Sequence, residues 1–213
     1  MLIRLLNECR RTQRRIYSRL LRYCGGFGSF GASSVDPGVR IDNPAGMHIG
    51  DGVFVLRGSW LCCIPTPGGR PQLKIASNVY VGFRSHITCA RRVEIGPGCF
   101  LSNNVLITDS MHRYDDIEMA PLSQPMRVAE VRIGEGTMIG ENACIFGSVN
   151  IGRHCVIGAN SVVSNCEVPA YHVVVGAPAR IVKRYDSQSG QWRRVEPPEP
   201  LRKVKVDEPA NAY

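Results

Sequence analysis

With 213 residues, 44% of them hydrophobic, and a mean hydropathy near zero, the chain has the composition of one globular domain, and no uncharged apolar run is long enough to span a membrane. The net charge of +8 is concentrated in residues 1–24, which hold seven arginines and one glutamate, and this charged segment lacks the apolar stretch of a secretory signal. Nucleic-acid binding is not expected, because the remainder is nearly neutral and aromatic residues do not accompany the arginines.

The nine cysteines contain no CxxC pair and follow no disulfide-framework spacing. Scattered thiols of this kind favour a reducing, cytoplasmic environment, so we expect neither a structural disulfide nor a zinc site.

The first predicted element is a helix over residues 1–24. Its apolar residues are separated by three, four or seven positions, as on one helical face, and arginines fill the remaining positions. The residues of this predicted face are Leu2, Leu6, Cys9, Ile16, Leu20 and Cys24. Through it the helix either covers one end of the following domain or packs between subunits. Alternatively, the basic helix adsorbs to an anionic membrane surface or to a partner protein.

From residue 35 onward an aliphatic residue recurs at every sixth position. The clearest series is Ile133, Ile139, Ile145, Ile151, Ile157 and Val163. Side chains alternate between the faces of a strand, so positions six apart point the same way when a turn lies between them. Glycine or asparagine often follows, and both tolerate the positive φ of a tight corner. The pattern predicts an all-β solenoid of short parallel strands.

Three hexads make a coil of 18 residues, but successive coils begin at positions 49, 75, 95, 133 and 151. The excess lengths predict insertions, which we place at residues 56–74 and 108–130. Loops that project from a regular scaffold often carry function. The larger insertion holds His112 close to three aspartates. Residues 186–213, which contain four prolines after position 196, predict a mostly extended C-terminal tail.

The hexads, the insertion ITDSMHRYDD and the closing segment GANSVVSNCEVPAYHVVVGAPARIVKRY resemble the hexapeptide-repeat acyltransferases. The similarity covers residues 35–185 and is closest to sugar O-acetyltransferases of the maltose/galactoside and capsule-modifying type. The resemblance implies a left-handed parallel β-helix, although parallel crossovers are normally right-handed. It also implies a homotrimer that uses acetyl-CoA as acyl donor. No metal is expected, because only His112 lies in the relevant insertion and His86 is 26 residues away.

Acetyl transfer to a hydroxyl needs a base, and histidine titrates in the useful pH range. The resemblance, which includes a histidine in this insertion, implies that His112 is that base. We expect Asp109, Asp115 or Asp116 to accept the other imidazole N–H and fix the tautomer. His86, which ends a hexad in the preceding coil, is a weaker candidate for a supporting role.

Donor binding requires a narrow channel for the pantetheine arm and cations for the phosphates. Small residues on consecutive coils leave such room, although every coil needs small residues at its corners. Arginine and lysine make charge-assisted bonds to phosphate. The resemblance implies coenzyme A contacts at Gly140, Ala159, Ser164, Arg180 and Lys183.

One departure from the family lies in the coil before the catalytic insertion. Galactoside-type enzymes place asparagine there, whereas this chain has Gly82-Phe83-Arg84-Ser85. Arg84 is a candidate for stabilising the oxyanion or contacting an anionic acceptor, unless it is a surface residue without a role in the reaction. The insertion at residues 56–74 is a candidate wall of the acceptor cleft.

The sequence therefore predicts an acetyl-CoA-dependent O-acetyltransferase acting on a sugar hydroxyl of a surface polysaccharide or glycolipid precursor. Three further hypotheses stay open: an N-acyltransferase acting on an amino-sugar, a γ-carbonic-anhydrase-like zinc enzyme, and a non-catalytic trimeric scaffold. We expect a cytoplasmic protein that can contact a membrane surface through residues 1–24.

Overall fold

The computed structural model describes residues 2–204, with side chains from residue 7 onward. These residues form one long helix, α1 (Leu2–Cys24), two short 3₁₀ helices at Pro44–Gly46 and Pro121–Ser123, and 23 mostly short strands. The first twelve strands are β1 Ser29–Phe30, β2 Ser34–Val35, β3 Arg40–Asp42, β4 Met47–Ile49, β5 Phe54–Val55, β6 Trp60–Cys63, β7 Gln72–Ile75, β8 Tyr80–Val81, β9 His86–Cys89, β10 Arg92–Ile95, β11 Phe100–Leu101 and β12 Leu106–Thr108. The remaining strands are β13 Ser110–His112, β14 Met126–Val128, β15 Glu130–Ile133, β16 Met138–Ile139, β17 Cys144–Ile151, β18 Val156–Ile157, β19 Val162–Val168, β20 His172–Val175, β21 Arg180–Asp186, β22 Gln191–Pro200 and β23 Arg202–Lys203.

The chain passes repeatedly through three parallel ladders. The first contains β1, β4, β7, β10, β15 and the second halves of β17 and β19. The second contains β2, β5, β8, β11, β16, β18 and β20. The third contains β3, β6, β9, β12 and the first halves of β17 and β19. The predicted parallel repeat of short strands is confirmed.

The core is formed by the aliphatic residues of the hexads. All six residues of the series from Ile133 to Val163 are at most 3% exposed. They pair between neighbouring coils as Ile133 with Ile151, Ile139 with Ile157 and Ile145 with Val163. Stacking identical positions buries one continuous apolar column. It also places the corners of successive coils directly above one another.

Helix α1 lies against β1 and β2 at the N-terminal end of these ladders. Ser18 is buried, and its Oγ accepts the Val35 N–H at 2.9 Å while Arg14 forms an ion pair with Asp36. Tyr17 and Leu21 pack against the core.

The apolar face predicted for this helix points elsewhere. Cys9, Ile16, Leu20 and Cys24 are all exposed, and the side chains of Leu2 and Leu6 lie outside those described. The helix does cover the N-terminal end of the ladders, which is one of the predicted arrangements, but it does so through a different face. The packed face instead combines a buried hydroxyl, an ion pair and two large apolar side chains.

The shorter insertion is narrower than the sequence suggested, whereas the larger one lies where it was predicted. Residues 56–63 belong to the regular coil, because β6 pairs in parallel with both β3 and β9. The departure there is confined to residues 64–71. The larger insertion lies between β12 and β15 and contains an antiparallel hairpin of β13 and β14.

The C-terminal segment is extended, and much of it is paired. Strand β21 turns back against β20, β22 pairs with β21, and β23 pairs with β19. Trp192 packs edge-to-face on Tyr185, with ring centroids 5.5 Å apart. Residues 205–213 of the predicted tail lie outside the described part of the chain.

Candidate active site

His112 lies on the hairpin that projects between the third and first ladders. It ends β13, opposite Met126 of β14, and its side chain is exposed. No other described residue hydrogen-bonds its imidazole. The ring is therefore available to a ligand or to a neighbouring molecule.

Asp109 anchors the base of this hairpin. It is fully buried, and its carboxylate accepts backbone N–H groups from Ala90, Arg91 and Arg92, each at 2.7 Å. Burial raises the pKa of this carboxyl, whereas the three N–H groups act in the opposite direction by stabilising its charged form. Because both oxygens face the 90–92 turn, the prediction that Asp109 orients His112 by a direct hydrogen bond is wrong for this chain.

The other two predicted partners of His112 are also engaged elsewhere. Asp115 Oδ2 accepts hydrogen bonds from Arg113 at 3.3 Å and Arg127 at 2.8 Å. Asp116 Oδ1 accepts the Glu118 N–H at 2.9 Å. These contacts brace the hairpin and leave the imidazole tautomer unfixed within one chain.

Arg84 lies at a different place, the corner between the second and third ladders, which we call corner 2–3. At this corner the residue with positive φ is Gly38, Gly58, Arg84, Asn104, Asn142 or Asn160 in successive coils. Arg84 is thus the one non-Gly, non-Asn residue of the series, with φ of 55°. Its Nε donates to Asn104 Oδ1 at 3.1 Å, and its side chain is exposed.

The predicted donor residues Gly140 and Ala159 lie on the same corner. Gly140 belongs to a column of small residues, Gly82, Ser102, Gly140 and Gly158, that follows from the register of the second ladder. A Cβ on Gly140 would lie 2.5 Å from the Ala159 nitrogen, so successive coils approach closely there. Ala159 is exposed at the next position.

The remaining predicted donor residues are more dispersed. Arg180 begins β21 opposite Val175, at the C-terminal end of the second ladder, and Lys183 follows opposite Val173; both are exposed. Ser164 lies on the third ladder, opposite Phe146, close to the corner that bears the hairpin.

One chain therefore presents two separate groups of candidate residues. Arg84, Gly140, Ala159 and Arg180 lie at or beside corner 2–3, whereas the hairpin with His112 leaves the opposite end of the third ladder. A strand segment of about four residues, roughly 13 Å, separates the two corners.

His86 lies between these two groups, on the outer side of the third ladder. Its ring stacks on Trp60 with centroids 4.3 Å apart, and its Nε2 is buried without a hydrogen-bond partner among the described residues. Burial, and then the nearby Arg40 charge, lower the pKa of His86 and favour the neutral ring. Arg40 also lies 4.4 Å over the Trp60 ring, whose Nε1 donates to Asp42.

Arg57 was not predicted from the sequence as a site residue. In the structure it lies at corner 2–3, one coil before Phe83, and its guanidinium lies 5.6 Å from the Phe83 ring centroid. Arg57, Phe83 and Arg84 line a groove of about 580 Å³ together with Pro37, Gly38, Gly58 and Asn103. Aligning residues 56–59, LRGS, with residues 82–85, GFRS, would have placed the two arginines on one corner.

The shorter insertion forms part of a second groove. Residues 65–72 and 43–48 enclose about 440 Å³, lined in part by His48, Cys63 and Arg70. This groove lies at the same corner as the hairpin, several coils closer to the N-terminus. The shorter insertion, which the sequence predicts as a candidate wall of the acceptor cleft, therefore lines a groove.

Two further findings concern residues 2–204 as a group. None of their helices is long and apolar enough to cross a membrane. Within the same range, no three or more histidine, cysteine, aspartate or glutamate side chains are arranged to hold a metal ion.

Comparison with known proteins identifies related sequences. Residues 130–165 match the family model described as the hexapeptide repeat of succinyl-transferase. The chain is 34% identical over 133 residues to the putative lipopolysaccharide biosynthesis O-acetyl transferase WbbJ of Escherichia coli K12, a match that covers 59% of this chain and 67% of that protein. It is 35% identical over 112 residues to the probable acetyltransferase Rv3034c of Mycobacterium tuberculosis, covering 53% of this chain and only 37% of the relative.

Solved structures share the fold. AntD, an N-acyltransferase from Bacillus cereus solved with dTDP and 3-hydroxybutyryl-CoA, superposes with a TM-score of 0.64 at 18% identity, covering 77% of this chain and 86% of AntD. PerB from Caulobacter crescentus, solved with CoA and GDP-perosamine, gives a TM-score of 0.51 at 17% identity, covering 79% and 66%.

Proposed function

This chain belongs to the hexapeptide-repeat acyltransferase family, and from that premise we propose that it is an acetyl-CoA-dependent O-acetyltransferase. Its acceptor is a sugar hydroxyl of a surface polysaccharide or glycolipid precursor. The 34% sequence identity to the putative lipopolysaccharide biosynthesis O-acetyl transferase WbbJ supports this acceptor class.

The active form in this proposal is a homotrimer of left-handed parallel β-helices. The separation of the two residue groups supports an intersubunit site, because the hairpin of one chain can reach corner 2–3 of its neighbour. The outer side of the second ladder also carries an apolar column, which includes Phe54, Phe100 and Met138, each more than 40% exposed. Exposed apolar patches of this kind are typical of protein interfaces.

The donor lies along corner 2–3. The column containing Gly140 leaves room for the pantetheine arm, and Ala159 borders the same channel. Arg180 and Lys183 bind the phosphates at the C-terminal end of the second ladder. Ser164 lies close to the hairpin, so in this proposal it contacts the coenzyme A that is bound on corner 2–3 of the neighbouring chain.

His112 acts as the general base. Its free ring nitrogen removes the proton of the acceptor hydroxyl while that oxygen attacks the thioester carbonyl carbon. The resulting oxyanion is stabilised by a backbone N–H group or by the Arg84 guanidinium. As the carbon–sulfur bond breaks, the protonated imidazole returns its proton to the sulfur, and acetylated sugar and coenzyme A leave.

The observation that carries the proposal is the exposed His112 imidazole, unpartnered among described residues, on a hairpin anchored by a buried carboxylate. Its test is His112→Ala, which should lower kcat by about 10²–10⁴-fold, the usual contribution of a general base. Because the side chain is exposed, thermal stability and coenzyme A affinity should not change.

The matched control is Ile117→Ala on the same hairpin, where the side chain is 91% exposed and has no assigned chemical role. This variant should keep wild-type turnover. A His112→Ala enzyme with unchanged turnover would remove the base assignment and the proposed mechanism.

An N-acyltransferase acting on an amino-sugar is the second candidate, because AntD, which shares the fold, is an N-acyltransferase. A paired assay with hydroxy- and amino-sugars, following thiol release from acetyl-CoA, separates the two. Zinc-dependent carbonic anhydrase activity would instead require bound metal in the purified protein. A scaffold would release no thiol with any acceptor. We place the enzyme in the cytoplasm, where acetyl-CoA is available.

A further inference from the structure

The exposed half of helix α1 carries two adjacent stripes of unlike chemistry. One is apolar: Ile16 is 56% exposed, Leu20 57% and Tyr23 79%, and Cys9 and Cys24 are exposed on the same side. Cys9, Ile16, Leu20 and Tyr23 follow at spacings of seven, four and three residues, and Cys24 lies four residues after Leu20, which places all five on one face at about 100° per residue. The side facing the body is occupied by Arg14, Tyr17, Ser18 and Leu21.

The second stripe is basic. Arg11, Arg15, Arg19 and Arg22 follow at spacings of four, four and three residues along the edge of the apolar stripe, and all are exposed. The helix contains one acidic residue, Glu8, and the Asp36 carboxylate of the first coil is engaged by Arg14. The positive charge of this face therefore exceeds what its carboxylates can neutralise.

The part of α1 from Asn7 to Gln13 is also exposed. Every described side chain from Asn7 to Gln13 is exposed, and burial begins only at Arg14. Ser18 and the Arg14–Asp36 pair hold the second half against the first coil. The helix thus offers a long amphipathic surface in a fixed position at one end of the molecule.

We propose that this surface docks on an anionic lipid bilayer. The apolar stripe enters the headgroup–acyl boundary, while the arginine side chains extend to lipid phosphates. Each basic residue close to an anionic surface adds an attraction that salt screens. The ladders then stand on the membrane with their N-terminal coil closest to it.

Charge decides between a bilayer and a second copy of this chain as the occupant. Contact between two copies of the same face would bring two arginine stripes together, with one glutamate per helix to offset them. An anionic bilayer supplies both an apolar interior and phosphate groups. The observations on this face therefore favour the bilayer.

The test is co-sedimentation of the full chain with vesicles of phosphatidylglycerol and phosphatidylcholine in equal amounts. The wild-type protein should bind these vesicles at least about tenfold better than pure phosphatidylcholine vesicles, and added salt should weaken binding. Ile16→Ser combined with Leu20→Ser should lower binding at least about tenfold, and so should Arg15→Glu combined with Arg19→Glu. All four side chains are exposed, so folding should persist.

Two control variants carry the same kinds of substitution at exposed sites away from α1. Ile117→Ser with Leu122→Ser removes two exposed apolar residues from the hairpin, and Arg193→Glu with Arg194→Glu makes the same charge change on β22. Both controls should bind vesicles like the wild type. Equal wild-type binding to both vesicle types, or equal loss in control and helix variants, would overturn the proposal. So would a helix variant that binds vesicles normally but loses its oligomeric mass in analytical ultracentrifugation, because the face would then join copies of the chain.

Discussion

The buried carboxylate of Asp109 is placed to organise the backbone. Its side chain joins two successive coils, since Asp109 ends one coil and residues 90–92 turn the coil before it. A charged acceptor that receives three short N–H bonds fixes the point where the hairpin leaves the ladder. We therefore propose that Asp109 is a positioning residue that acts on His112 through the hairpin.

This assignment predicts that Asp109→Asn lowers stability. The amide nitrogen would face at least one of the three backbone N–H groups and leave it without an acceptor in a buried site. We expect a loss of about 2–4 kcal/mol in the free energy of unfolding, measured by denaturant titration. The matched change Asp115→Asn, at an exposed ion pair, should cost less than about 1 kcal/mol. An Asp109→Asn enzyme of unchanged stability with a shifted pH–rate profile would contradict the positioning role.

Arg84 has a positive φ, a backbone conformation that glycine and asparagine adopt more easily than arginine. The equivalent positions in the other coils are glycine or asparagine, which adopt positive φ at lower cost. A residue kept in a disfavoured conformation at a groove is often functional. The exposed guanidinium beside Arg57 fits a role toward an anionic acceptor or the oxyanion.

Replacing Arg84 by asparagine should therefore raise stability and lower activity. Arg84→Asn should raise the free energy of unfolding by about 0.5–1 kcal/mol, because asparagine relieves the strained φ. The same variant should lower kcat/KM, measured with acetyl-CoA and the sugar acceptor. Arg84→Lys, which keeps both the charge and the strain, should retain wild-type stability and more of the activity. Full activity in Arg84→Asn would assign Arg84 to the surface alone.

At the scale of elements, hexad periodicity predicted the parallel strands and the buried aliphatic column, because a period of six requires the same residue class at each stacked position. Chain length beyond 18 residues per coil located both insertions. It gave the bounds of the larger insertion to within one residue but not those of the shorter one: residues 56–63 were assigned to an insertion, yet residues 60–63 form a strand of the third ladder.

The partners of individual elements were harder to predict from sequence. The apolar spacing of α1 identified a real amphipathic face, but the helix packs through Tyr17, Leu21 and a buried Ser18 instead. The Ser18 hydroxyl hydrogen-bonds the backbone of β2, and a single polar contact of this kind produces no periodic pattern in the sequence. The same limit applies to Asp109, whose partners are backbone groups 17 to 19 residues earlier in the chain.

Across the whole molecule, the outer faces of the ladders differ in chemistry. The first ladder carries charged residues, such as Glu94 and Arg132, whose side chains lie 3.9 Å apart. The second carries a row of apolar residues that includes Tyr80 and Phe100, stacked with centroids 5.1 Å apart. A charged face is suited to solvent, whereas a continuous apolar row is suited to burial against another chain.

This contrast predicts which face joins the subunits of the proposed trimer. Phe100→Glu should place a charge in the centre of the apolar row and dissociate the assembly, because an unpaired charge is costly to bury. Native mass, measured by analytical ultracentrifugation, should fall, and turnover per chain should decrease on dilution if His112 works at a neighbour's corner 2–3. Glu94→Lys, a change of similar size on the charged face, should leave mass and activity unchanged. A wild-type protein that sediments as a fully active monomer would exclude an intersubunit site and require His112 and the donor channel to meet across the third ladder of one chain.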